Sequence, residues 1–156
     1  MEDENINSEY CDLLDKELPI NHRFFMYDSE LKICESYLGL AISEGGNVEK
    51  VKDILDIIDT LNEHIYDHDT VLPDNVRKSL RHEKKEWIDI KEKMNSGNKY
   101  AAYLILSASH MRIALSYLHE LKMDNEFGNY VDDYVIEFLE KVINKTFNEA
   151  MGDVLL

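Results

Sequence analysis

Glycine and proline are scarce in this chain, six and two among 156 residues. Regular structure is therefore seldom interrupted, and each break that does occur is easy to read. Cysteine is equally sparse. Cys11 and Cys34 show no paired metal spacing, which leaves neither a zinc ribbon nor a disulfide framework. They read as reduced thiols in a cytoplasmic protein, with Cys34 packed as a small apolar side chain. Basic residues are few: 17 Lys plus Arg face 32 Asp plus Glu, giving a formal charge of −15. A field of that sign repels nucleic-acid phosphates and anionic lipid, so neither is expected as a partner.

Several motifs are missing as well. No apolar run reaches the roughly 20 residues that span a bilayer, and the acidic start MEDENINSEY is unlike a secretory signal. Glu-x-x-His repeats of the di-iron bundles and His-Glu-x-x-His of the zinc peptidases do not occur. Asp124–Gly128 has the composition of a calcium loop, but its glycine falls one position early. There is no glycine-rich phosphate loop and no Ser or Cys in a nucleophile motif.

What the chain does contain is helical periodicity. Hydrophobic residues make up 44% and charged residues 31%, a globular balance for one domain. Lys99–Leu121, without Gly or Pro, is apolar around most of its circumference in its first half and predicts a central helix walled by others. Before it, Asp28–Ser43 and a segment capped by Asn47 and reaching about Asp67 have helical spacing; Val51, Ile54, Ile58, Leu61 and Ile65 form the second seam. A third helix is expected from Asp74 to about Asn95, with the stripe Val76, Leu80, Glu83, Trp87, Ile90, Met94. Asn129 is the expected cap of a last helix, Tyr130 to about Met151, with Asp132 and Asp133 at its positive end. The fold class is all-α: an antiparallel, up-and-down bundle of four to five helices with short loops. Residues 28–156 form the bundle; residues 1–27 are an N-terminal segment packed on it, with room for a short helix over Ser8–Leu18.

Three polar side chains interrupt apolar stripes or continue their steps: His68, Glu83 and His110. Counting from the turn at Ser96-Gly97-Asn98 places Glu83 and His110 at nearly one height, with Ile58 or Asp59, Cys34 or Glu35, and Lys141 or Val142 in the same layer; Asp59 and Glu35 are each one step off their stripes. They could form a hydrogen-bonded core pair that sets register, or two ligands of one metal. His64-x-x-x-His68 is a second metal-ligand geometry if a third ligand arrives, although two such histidines at an acidic helix end are also ordinary surface residues. His82 and His119 read as surface.

The pattern YAAYLILSASHMRIALSYLHEL, in a chain rich in Ile, Asn, Asp, Lys and Tyr, resembles small uncharacterised helical-bundle proteins of thermoacidophilic archaea. That resemblance implies a bundle over about Asp28–Met151 and assigns no functional residues. The long helices are also similar to those of cobalamin adenosyltransferases, but the paired Arg of that family are missing here, and Ser109-His110-Met111-Arg112 is a poor counterpart.

The leading expectation is a cytoplasmic bundle that self-associates, as a homodimer or higher homo-oligomer, through aromatic excess at Phe24, Phe25, Tyr134, Phe138 and Phe147 and the tail Val154-Leu155-Leu156. No cofactor is called for by a motif. The alternatives are a divalent-metal bundle, in one form a metal-dependent hydrolase, using His68, Glu83 and His110 or the His64/His68 pair, and an acidic adaptor for a basic protein partner.

Overall fold

The computed structural model describes residues 7–84 and 89–152. Strands β1 (Ser8–Cys11) and β2 (Lys16–Pro19) form an antiparallel hairpin in the register Ser8↔Pro19 to Cys11↔Lys16. Helices α1 (Arg23–Ser43), α2 (Val48–Tyr66), α3 (Asp74–Arg81), α4 (Lys91–Asn95), α5 (Lys99–Lys122) and α6 (Asp133–Ala150) follow, with a 3-10 turn at Phe127–Asn129.

The four long helices form a ring in which each runs antiparallel to both neighbours. On α1 and α5, Arg23 pairs with Glu120, and the Ser107 hydroxyl donates to the Cys34 carbonyl at 3.0 Å. Between α1 and α2, the Tyr27 hydroxyl donates to Asn62 at 2.9 Å. Helix α6 closes the ring: Lys50 of α2 lies 3.5 Å from Glu149, and Lys122 of α5 pairs with Asp133. Leu38, Ile54, Leu104, Met111, Leu118 and Phe138 are fully buried and form the middle of the shared core.

The helix starts follow local chemistry. Asn47 accepts from Lys50 N at 3.4 Å and Asn98 from Ala101 N at 2.9 Å, each satisfying an amide that the first turn leaves open. All five residues of the expected α2 seam are buried. Helix α1 begins earlier than its apolar spacing suggested, because His22 Nδ1 accepts from Phe24 N at 3.1 Å and caps the chain there. The aromatic segment is thereby drawn into the helix, with Phe24 stacked on Phe127 at 5.4 Å.

Five expectations are corrected. The order is not up-and-down: both α2 and α5 run antiparallel to α1, so these two long helices are parallel to each other at opposite corners of the ring, and the segment carrying α3 and α4, not a short loop, takes the chain between them. Ser8–Leu18 contains a hairpin strand pair rather than a helix. Leu13 and Leu14 sit in its turn, where Asp15 takes a positive φ of 52°, and Cys11 and Leu18 are buried in the common core. The expected third helix breaks after Arg81. Continued, it would turn Glu83 onto the inner face; instead Glu83 accepts from Asn148 Nδ2 at 3.0 Å, and Trp87 of the stripe lies outside the described residues. Helix α5 is not walled on all sides: Leu106 and Ile113 are 39% and 41% exposed. Asn129 belongs to the 3-10 turn, and α6 is capped three residues later by Asp132.

The aromatic excess expected to form an interface is used internally. Phe24 and Phe138 are buried, and Phe25, Tyr134 and Phe147 pack against the same core. The tail Val154-Leu155-Leu156 lies outside the described residues.

Candidate metal centre

At the bundle end where α2 finishes and α6 begins, His64, His68 and Asp132 each bring one ligand atom to within 4.8 Å of the others. His64 is on the last turn of α2 and is 3% exposed. Beyond that helix the chain folds back: Asp67 Oδ1 accepts from Asp69 N at 3.0 Å, and the Asp67 carbonyl accepts from Thr70 N at 2.9 Å. This turn presents the Thr70 carbonyl to His64 Nδ1 at 2.7 Å. The Tyr134 hydroxyl accepts from Leu72 N at 2.8 Å and pins the same strap to α6. The strap also lines a groove of about 470 Å³ with Asp53, Asp56, Thr60 and Lys145.

The hydrogen bonds restrict the protonation of His64. Its Nδ1 faces a carbonyl and must donate, and its Nε2 lies 2.8 Å from Asp132 Oδ2, a second acceptor. A cation has to stand between Nε2 and the carboxylate, either a proton or a metal ion. The ring stacks on Tyr134, with centroids 4.4 Å apart, and on His68 at 4.9 Å. His68, half-exposed just past the helix, donates from Nε2 to the Tyr130 carbonyl at 2.8 Å and lies 4.0 Å from Asp132 Oδ2.

Asp132 has two tasks. Its Oδ1 accepts from Val135 N at 3.1 Å and caps α6, leaving Oδ2 for His64. Burial raises the pKa of this carboxyl, but the His64 hydrogen bond, the Val135 amide and the charges of both histidines outweigh it and hold the group below the ordinary value of 3.8. It stays ionised, as a ligand must.

The His64–Asp132 pair fits a small divalent ion, which His68 would join by turning Nε2 from the Tyr130 carbonyl. Tetrahedral zinc at its usual bond lengths separates two donors by about 3.3 Å. His64 Nε2 and Asp132 Oδ2, now 2.8 Å apart, would open by about 0.5 Å around such an ion. The Thr70 carbonyl on the far nitrogen of His64 is the outer partner that orients metal-bound histidines.

Of the residues singled out in the sequence, the structure brings His64 and His68 together. It does not join Glu83 to His110, and the pair inferred from level counting is not formed. The break after Arg81 carries Glu83 to α6, where its carbonyl also accepts from Lys141 Nζ at 3.2 Å. His110 faces α1: its Nδ1 lies 2.6 Å from Glu30 Oε2, and it stacks on Tyr37 at 5.7 Å, partly exposed. In the sequence Asp132 is visible only as a helix-dipole residue; its place beside His64 depends on the antiparallel level of α2 against α6. His82 and His119 are exposed, as expected. Burial pushes the Cys34 thiol up to about 12, so it is not a nucleophile near neutral pH. Asp124 uses Oδ1 to accept from Glu126 N and Phe127 N at 2.8 and 3.1 Å, a turn rather than a calcium loop.

Fold and site define an acidic four-helix bundle, completed by a β-hairpin, with two imidazoles and a carboxylate gathered at one end. Residues 10–152 match the family described as "Domain of unknown function (DUF1940)", and the chain belongs to that family. The match takes in the hairpin from Tyr10 onward and all three residues of the cluster. No functionally curated relative matches the sequence. Among the described residues no helix is long and apolar enough to cross a membrane.

Proposed function

We infer that this protein is a metal-binding bundle that holds one divalent transition-metal ion, zinc in the first instance, on His64, His68 and Asp132. The observation that carries the reading is the orientation of His64: a backbone carbonyl fixes Nδ1, and Nε2 is aimed at an ionised carboxylate 2.8 Å away with a second imidazole alongside. Two imidazoles and one carboxylate suit zinc, and also ferrous iron. Asp132 and His68 are partly exposed, so the remaining coordination position opens to water or to a substrate atom. A formal charge of −15 adds a general attraction for cations. Two free, buried thiols support a cytoplasmic setting.

Zinc titration of the chelator-treated protein tests this. Binding should be one to one and should release the proton held on His64 Nε2, seen as heats that vary with the buffer's ionisation enthalpy. Saturation at about 100 Kd should add about 2.7 kcal/mol of stability, a rise in Tm of roughly 5–10 °C. His68→Ala should weaken binding by at least tenfold. Absence of stoichiometric binding by zinc, cobalt or ferrous iron removes the reading.

A further inference from the structure

On the opposite side of the ring from the α2–α6 site, helices α1 and α5 share an outer face that differs in charge from the rest of the molecule. The sequence holds 32 acidic residues, yet none lies between Lys99 and His119. On the α5-facing flank of α1, Ile33, Tyr37 and Leu40 are likewise uncharged. The face exposes Leu40, Leu106 and Ile113 by 43%, 39% and 41%. Partly buried Ile33, Tyr37 and Tyr103 fill the space between, the two tyrosines stacked with centroids 6.3 Å apart. Its one carboxylate, Glu30, is already paired with His110 at 2.6 Å.

We propose that this α1–α5 face is a homodimer interface, covered in solution by the same face of a second copy. Two copies carrying −15 each repel strongly, so close contact is cheapest where carboxylates are absent or neutralised. This face meets that condition and is self-complementary in charge, as a two-fold interface requires. A basic partner would find only Glu30 there, already paired with His110. The size also fits. Helix α5 is about 36 Å long at 1.5 Å per residue and two packed helices span about 20 Å, giving roughly 700 Å² against the roughly 800 Å² per partner of standard interfaces.

Sedimentation velocity across a micromolar to near-millimolar range tests the assignment. The wild type should sediment as a species of twice the 18.3 kDa chain mass, with or without chelator. The double variant Leu106→Glu/Ile113→Glu should be monomeric, its dissociation constant raised by at least roughly 100-fold. Its far-ultraviolet circular dichroism should be unchanged, since both side chains are solvent-facing in the single chain. Ile20→Glu, at a position 54% exposed on the hairpin side, should still dimerise. A wild type that stays monomeric throughout overturns the proposal, as does a folded Leu106→Glu/Ile113→Glu protein that still dimerises. Dissociation by Ile20→Glu alone places the contact elsewhere and overturns it too.

Discussion

Replacing Asp132 separates two contributions that the structure assigns to one side chain. Asparagine retains an oxygen able to accept from Val135 N, and Asn and Asp are nearly equivalent caps, so Asp132→Asn should leave the start of α6 intact. What it removes is the negative charge opposite His64 Nε2, leaving a neutral bond from the amide nitrogen to that atom, at a ring that is 3% exposed and whose other nitrogen is already committed to Thr70. Hydrogen bonds to charged groups contribute about 1.5–3 kcal/mol; Asp132 is about one-third exposed, which favours the lower half of that range. For a chain of this length 1 kcal/mol moves Tm by about 2–4 °C. Net of the neutral bond that replaces it, Asp132→Asn in metal-free protein should therefore lower Tm by roughly 2–5 °C. Asp132→Ala loses the cap as well, about 1 kcal/mol more. The assay is thermal unfolding by circular dichroism at neutral pH with chelator present, with His64→Gln and the double variant completing the cycle. The two single effects should fall short of additivity when combined, because both break one interaction. A Tm within 2 °C of wild type for Asp132→Asn would refute the account of His64 as a buried, carboxylate-bound ring.

The same carboxylate sets a pH dependence. Asp132 is held below 3.8 in the folded chain and returns to its ordinary value on unfolding, so the unfolded state binds more protons near pH 4. The stability it contributes is complete above about pH 5 and is lost as pH falls through and below 4, so unfolding curves from pH 7 to 3 should decline less steeply for Asp132→Asn than for wild type. Tyr134→Phe should cost roughly 1–3 kcal/mol in chemical denaturation, because it leaves the Leu72 amide without its acceptor. Gly46→Ala should destabilise by about 1–3 kcal/mol, since an added Cβ would overlap the Tyr100 ring, itself tied to Glu149 at 3.2 Å; Gly46→Ala/Tyr100→Ala should show a smaller penalty for the alanine at 46.

The long helices were legible because their signals are local and repeated. Asn47 caps where its side chain suggests, and the three-four steps from Val51 to Ile65 describe a face that is in fact buried. The hairpin was hidden by leucines: Leu13 and Leu14 imitate helical spacing but lie in a turn, while the strand residues that enter the core are only Cys11 and Leu18. The third stripe failed at Glu83, where a charged group on the inner face competes with continuing the helix and the break wins. Of the site, His64 and His68 were visible from their four-residue spacing. Asp132 and the Thr70 carbonyl were not, because they meet His64 only through the packing of α2 on α6 and the fold-back after Asp67.

The most direct test of the metal-centre account is the visible absorption of the protein loaded with cobalt(II). Coordination by His64, His68 and Asp132 in a four-coordinate site predicts intense d–d bands that saturate at one equivalent, are displaced by zinc, and vanish in His64→Ala/His68→Ala. A spectrum no different from aqueous cobalt, or one unchanged by removing both histidines, would contradict it.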